Sequence, residues 1–329
     1  MFQHLRSVLA GAAIFATIGG TTFSAGAETW AFYNHQSAPQ FTTSVGAKTL
    51  ADKITEATGG EVQVRLHLAG TLQISASDIT SAVAQNVVQM GDDLFSSGNV
   101  PIGAILKLPF LVQTYEEFEK ASAIVRPYVE KAYAEQGVVV LASYAYPMQY
   151  IWAREPIDSL DALNGARLRV ASPEQSEFIR RFGGSSVSIP AAEVPPALDR
   201  GVVDGLVTGS VGADLWQDML THGYLLGLNY NNVYIIANAS AFERLSPENQ
   251  EKIRAAAEEV AAWNTQTMRD EDDDIIRRLG DGKMEIVTPS AEDVARAEAE
   301  IAPYWDEWAA SRGEDAVKAL AELRQVLGR

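Results

Sequence analysis

The 329-residue chain contains no cysteine, and that absence removes a disulfide framework, a thiolate-bound metal, a thiol nucleophile and a redox pair. Histidine is scarce. His4, His35, His67 and His222 are the full set, and no two stand at metal-ligand spacing. Basic residues are outnumbered, 26 Lys and Arg against 43 Asp and Glu, so the formal net charge is −17 and no basic patch offers itself to nucleic acid or anionic lipid. Phosphate loops, dinucleotide fingerprints, nucleophile elbows and H-E-x-x-H helices are missing too, and no cofactor or metal is implied. Beyond the N-terminal segment, no apolar run is long enough to span a bilayer.

What is present is the material of a packed protein. Hydrophobic residues make up 47% and charged residues 21%, and the length fits about two domains at roughly 150 residues each. The N-terminus reads differently. His4 and Arg6 precede an apolar stretch from Val8 to Ala16, and Ala25-Gly26-Ala27 closes the segment ahead of Glu28. A basic start, an apolar middle and a small-residue exit make residues 1–27 a signal peptide, cut after Ala27. Its removal takes Arg6 away, leaving 25 basic against 43 acidic residues, a charge of −18. An exported chain without cysteine suits a bacterial periplasm.

Strand and helix signals then alternate, an order that implies α/β layers around a mostly parallel sheet. Trp30–Tyr33 reads as a strand, residues 39–59 as a helix ended by Gly59-Gly60, and Val62, Val64, Leu66 and Leu68 as a half-buried strand. A helix over 77–86 leads to a strand at 87–90, with Asp92, Asp93 and Phe95 in the turn beyond. Thr114 to Glu117 has capping-box spacing and opens a helix running to Gly137, ahead of the strand Val138–Leu141. Near residue 150 the pattern restarts with strands at 150–153 and 167–170 and a helix capped by Ser172. Residues 246–279 stay free of interior Gly and Pro, with Ile253, Ala257, Val260, Trp263 and Met268 at helical spacing. A helix of that length measures roughly 50 Å, enough to cross two domains. The acidic run Asp270–Asp274 imitates a calcium loop, but Ile275 and Asp281 stand where Gly and Glu are needed, so it reads as a solvated helix face.

Arginine chemistry is the strongest remaining signal. Arg169 lies in a short strand directly ahead of the Ser172 helix start. A guanidinium there can grip a carboxylate with two parallel hydrogen bonds, aided by the helix N-terminus. From spacing alone a structural Asp or Glu partner is the competing reading.

The chain resembles the solute-binding proteins of tripartite ATP-independent periplasmic (TRAP) transporters over nearly all of residues 28–329. The resemblance is carried by Thr58-Gly59-Gly60-Glu61-Val62, Gly70-Thr71-Leu72, Lys107-Leu108-Pro109-Phe110-Leu111, Ile157-Asp158-Ser159-Leu160, Leu163 to Val170, Ala192-Glu193-Val194 and Ala197 to Gly205. It implies an α/β two-lobed periplasmic binding protein (type II-like), with mixed sheets flanked by helices and a long helix shared between lobes. It implies lobe I at 28–147 plus 234–273 and lobe II at 148–233 plus 274–329. The partners it implies are a small organic acid and the membrane permease subunits, with no nucleic acid and no insertion of this chain into the membrane.

The resemblance also implies that Arg169 holds the ligand carboxylate. The other positions it puts at the ligand are Asn34, His35 and Gln36 after the first strand, Asp92, Asp93 and Phe95, and Tyr146, Met148, Gln149 and Tyr150 at the first crossing between lobes. Thr208, Gly209, Ser210 and Trp216 follow, with Asn231, Asn232 and Tyr234 at the return crossing. Sialic-acid and sugar-acid members of the family carry a second arginine near Met148 and an Asn or Glu near Thr208. Their loss, with Tyr144, Tyr146, Tyr150 and Trp152 kept, favours a smaller or more apolar acid, a monocarboxylate such as a 2-oxo, 2-hydroxy or aromatic acid. Pro195-Pro196 is expected to break the helix that follows Glu193 in the family. Two other functions stay open: a ligand sensor for a membrane receptor, and an exported hydrolase or lyase using Asp92, Asp93 and His35 as acid and base.

Overall fold

The computed structural model describes residues 27–189 and 191–329. The signal peptide assigned from the sequence therefore lies, except for Ala27, outside the described residues. In chain order the elements are β1 (Glu28–Asn34), α1 (Thr42–Ala57), β2 (Val62–Leu68), α2 (Ile79–Ala84), β3 (Met90–Asp93), α3 (Tyr115–Ala134) and β4 (Val138–Tyr146). There follow β5 (Tyr150–Ala153), β6 (Arg167–Val170), α4 (Pro173–Arg181), β7 (Ser185–Ser188), α5 (Val194–Asp199), β8 (Gly205–Thr208), α6 (Ser210–Leu215) and β9 (His222–Tyr224). The chain ends with β10 (Asn231–Asn238), α7 (Ala239–Glu243), α8 (Pro247–Asp281), β11 (Glu285–Val287), α9 (Ala291–Ala310) and α10 (Glu314–Leu327).

Two mixed sheets organise the molecule, in the orders β2-β1-β3-β10-β4 and β11-β9-β5-β8-β6-β7. The expectation of a mostly parallel sheet needs correction. The two strands that arrive from the opposite lobe, β5 and β10, run antiparallel to both of their neighbours, whereas β1, β2 and β3, and likewise β6, β7 and β8, pair in parallel. The chain crosses first at Pro147–Gln149 and returns at Leu225–Tyr230. These segments are tied together by Gln149 N–H to Asn229 C=O and Leu228 N–H to Gln149 C=O, both 2.9 Å.

Helix α8 is unbroken over 35 residues, roughly 50 Å. Ser246 caps it by accepting from the Asn249 N–H. One end packs on α1 and β4, and the other on α6 and β11, so it spans both sheets. Its buried arc differs from the expected one: Trp263 is 41% exposed, while Ala261 and Asn264 face inward. Helix α1 approaches closely on that side, where a Cβ at Gly46 would overlap the Asn264 amide. Asp272, expected on a solvated face, is buried and accepts a hydrogen bond from Ser210 Oγ at the start of α6.

Other local differences have equally simple causes. The third strand is Met90–Asp93 rather than 87–90, because Gly91 lets β3 pass against Ile79 and Val83 of α2, and this draws Asp92 and Asp93 out of a turn into a buried strand. Pro195 and Pro196 do not break α5. They occupy its first turn, where no N–H is required. Helix α10, which the family division assigns to lobe II, packs on α3, with Lys131 to Asp315 at 2.6 Å and Tyr128 to Glu322 at 2.7 Å. One hydrophobic core runs continuously from Val83 and Phe118 to Phe178 and Trp305, so the two units share a base.

Candidate functional site

Between the two sheets lies a cavity of about 330 Å³. Its walls come from β1 and the loop after it, the segments 69–76 and 94–95, the crossing strands, β6, β8 and α6. Tyr33, Phe41, Phe95, Tyr146 and Trp216 supply aromatic surface, and Ile74, Leu94, Val211 and Leu215 supply aliphatic surface. Among the described lining residues Arg169 is the only one with a fixed charge; no Asp, Glu or Lys borders the space.

Strand alternation places that charge. In β6, Leu168 and Val170 turn into the core, which leaves Arg167 and Arg169 on the other face. Arg167 is solvated and pairs with Asp204. Arg169 is 5% exposed, and its Nε donates to the Ile189 carbonyl at 3.0 Å. Among the described residues no carboxylate pairs with it, so the structural-partner reading left open by the sequence finds no support. Burial pulls its pKa down to about 10, with nearby Tyr146 acting in the opposite direction. The guanidinium is thus charged, buried and without a counter-ion among the described residues, an arrangement that favours an incoming anion.

Of the residues expected at the ligand, Arg169, His35, Phe95, Tyr146, Gln149, Thr208 and Trp216 border the cavity, as do Gln36 and Asn231. Tyr146 accepts a hydrogen bond from Gln36 Nε2 at 3.1 Å, and burial pushes its pKa up to about 12. The His35 ring stands edge-on to Tyr146, with Nδ1 3.3 Å from the Asp92 carbonyl. Four expected residues lie elsewhere. Asn34 and Asp92 are buried and do not border the cavity, with Asn34 Nδ2 donating to Asp92 at 2.6 Å and Tyr144 OH donating to the same carboxylate at 2.9 Å. Asn232 faces the opposite side of β10 from Asn231 and donates to the Gly103 carbonyl. Tyr150 packs edge-on against Trp152, whose indole donates to the Thr208 carbonyl.

The wider set of candidates divides in the same way. Asp93 lies in a buried pocket with Thr80 and Tyr133, and burial raises its pKa. Asp92 and Asp93 therefore do not present an acid–base pair to the cavity. Of the four aromatics thought to mark an apolar wall, Tyr146 alone borders the space, while Tyr144 and Trp152 are core. Met148, Gly209, Ser210 and Tyr234 do not border it either. Sequence reasoning missed Tyr33, Phe41, Ile74, Val211 and Leu215. The Gly70-Thr71-Leu72 motif is local, and nothing in it says that Ala69, Gly70 and Ile74 to Ala76 border the cavity. Among the described residues no group of three or more His, Asp or Glu could hold a metal ion, and no helix is long and apolar enough to cross a membrane.

Comparison with known proteins agrees with this architecture. The family model DctP, bacterial extracellular solute-binding protein, family 7, matches residues 33–312. The chain is 24% identical over 299 residues to the 2,3-diketo-L-gulonate-binding periplasmic protein YiaO of Escherichia coli (strain K12), covering 87% of this chain and 89% of that one. It is 22% identical to the sialic acid-binding periplasmic protein SiaP of Vibrio cholerae, covering 84% and 87%. Among solved structures it resembles DctP7, a Bordetella pertussis extracytoplasmic solute receptor binding pyroglutamic acid, with a TM-score of 0.84 at 24% identity over 91% of this chain and 100% of that one. A TRAP periplasmic solute-binding protein from Sulfitobacter with bound β-D-galacturonate gives 0.82 at 20% identity over 91% and 100%.

Proposed function

This chain belongs to the DctP family of bacterial extracellular solute-binding proteins, and on that premise we propose that it is the periplasmic receptor of a TRAP transporter, capturing an organic acid between its lobes and delivering it to a membrane permease. The observation that carries the proposal is Arg169, buried beside the cavity with no carboxylate partner among the described residues. One fixed positive charge on an otherwise uncharged wall matches one carboxylate. A second acidic group would be buried without compensation, at a cost of several kcal/mol. The aromatic and aliphatic lining favours a compact body, and we assign the solute to monocarboxylates such as 2-oxo, 2-hydroxy or aromatic acids. The relatives named above bind or are named for several different acids, which supports the carboxylate as the shared element and leaves the remainder of the solute to the walls.

Capture follows from the geometry. The acid meets Arg169 while the lobes are apart. Closure then expels water, and each remaining charge interaction strengthens as the local dielectric falls. Ligand shifts the balance toward the closed form only by its greater affinity for it. Native mass spectrometry of the protein as purified should find a co-purified acid of low mass. In a thermal-shift screen of monocarboxylates, binding acids should raise the wild-type melting temperature, and Arg169→Gln should abolish that rise with the unliganded melting temperature changed by only a few degrees. An undiminished rise in the variant would remove the assignment, and a collapsed fold would make Arg169 structural.

A further inference from the structure

Asn231 opens β10 where the chain returns to the first sheet, and it borders the cavity while 4% exposed. The direction of its amide is fixed by a chain of hydrogen bonds that begins two residues beyond Arg169. The backbone N–H of Ala171, which can only donate, reaches Gln175 Oε1 at 2.9 Å. Gln175 must therefore turn Nε2 the other way, where it meets Asn229 Oδ1 at 3.2 Å. Asn229 then donates from Nδ2 to Asn231 Oδ1 at 3.1 Å and to the Tyr230 carbonyl at 2.9 Å. That carbonyl can only accept, so the middle amide is anchored independently of the first.

Gln175 and Asn229 are fully buried, each 0% exposed. Flipping either amide would set oxygen against oxygen with no water to relieve it, which costs more than an ordinary hydrogen bond contributes. Oδ1 of Asn231 is thus engaged, and its Nδ2 has no acceptor among the described residues. The cavity wall therefore carries a donor whose polarity is set by the same α4 start that follows the arginine strand.

We infer that Asn231 is a specificity residue of this cleft, donating through Nδ2 to a carbonyl oxygen of the bound acid. The solute class is then an oxo acid or a lactam acid, in which a carbonyl accompanies the carboxylate, and a plain alkyl or aryl carboxylate is disfavoured because it leaves the amide unpaired. This rests on the cleft being an acid site with Arg169 as its anchor. Gln175 and Asn229 act as positioning residues and do not touch the solute.

Isothermal titration of the mature protein with two matched pairs tests it: phenylpyruvate against hydrocinnamate, and ketoisocaproate against isocaproate. Each pair differs by one carbonyl. The oxo member should bind at least about tenfold more tightly to wild type. Asn231→Ala should bring the affinities of the two members of each pair within about twofold of each other, and Asn229 keeps the Tyr230 carbonyl as its acceptor. Should Asn231→Ala fail to fold, Asn231→Leu removes the donor at similar side-chain volume, and the wild-type comparison needs no variant. Equal wild-type affinity within both pairs, or a preference that survives the substitution, overturns the inference; the acid-site reading stands if binding still requires Arg169. Failure of all four acids, and of the lactam acid pyroglutamate, to bind wild type overturns both.

Discussion

A guanidinium buried without a counter-ion is a liability to the empty protein and an asset once an acid arrives. Arg169 sits under that tension, since burial has lowered its pKa to about 10 while leaving it charged at neutral pH. Arg169→Met should therefore raise the melting temperature of the unliganded protein by a few degrees while eliminating acid binding. A fall in unliganded stability would indicate that the Ile189 contact matters more than dehydration. Asp272 poses the complementary case. Burial raises its pKa to about 6 from an ordinary 3.8, opposed by the hydrogen bond from Ser210 and reinforced by Asp273. Tyr115, Tyr150 and Tyr230 feel the same carboxylate, and Arg269 lies on the same helix close to Tyr115 and Tyr230. A raised acid takes up protons on folding, so its contribution favours the native state at low pH and is lost as pH rises from about 4 through about 6. Asp272→Asn should consequently be more stable than wild type at pH 7.5 by roughly 2–3 kcal/mol, with the difference fading toward pH 4. Chemical denaturation at the two pH values measures this, and a pH-independent difference would contradict the assigned burial.

At the level of elements, α8 and α1 show how one small residue decides a helix pair. Gly46 faces Asn264, whose Oδ1 is buried without a partner, and a Cβ there would overlap the amide. Gly46→Ala should cost about 2 kcal/mol, and Asn264→Ala in the same chain should recover most of it, because the obstructing amide has gone. Additive losses in the double variant would place the strain elsewhere. The same pair explains what the sequence made legible. Helix limits were readable because capping is local: Thr114, Ser172 and Ser246 each accept from the N–H three residues on. The β6 strand and its arginine were readable because alternation is local as well. Which face of β10 meets the cleft was not readable, because Asn231 and Asn232 are chemically identical and only pairing with β3 and β4 decides between them. Asp92 and Asp93 misled for a related reason. Gly-Asp-Asp has the composition of a turn, and its burial depends on partners brought by Asn34, Tyr144, Thr80 and Tyr133 from distant parts of the chain.

Over the whole molecule, charge and capture pull in opposite directions. The chain carries a formal charge of −17, so its far field repels the anions it is proposed to collect. Attraction must come from within, where Arg169 is the one fixed charge among the described lining residues and acts over a few ångströms. In the proposed mechanism, closure about the two crossing segments is the route by which that short-range attraction would become binding. Salt separates the two contributions. At about 0.1 M the field of surface charges is screened within ~10 Å, whereas an ion pair sealed in a closed cleft is screened far less. Raising ionic strength from low to physiological should therefore speed association a few-fold, by weakening the repulsion, and leave dissociation nearly unchanged. Stopped-flow binding at several salt concentrations checks this through the sign of the slope. An association rate that fell with added salt would mean that the mouth of the cleft, and not its interior, does the attracting, and the acidic surface would then have to be patterned so that the approach to Arg169 is spared.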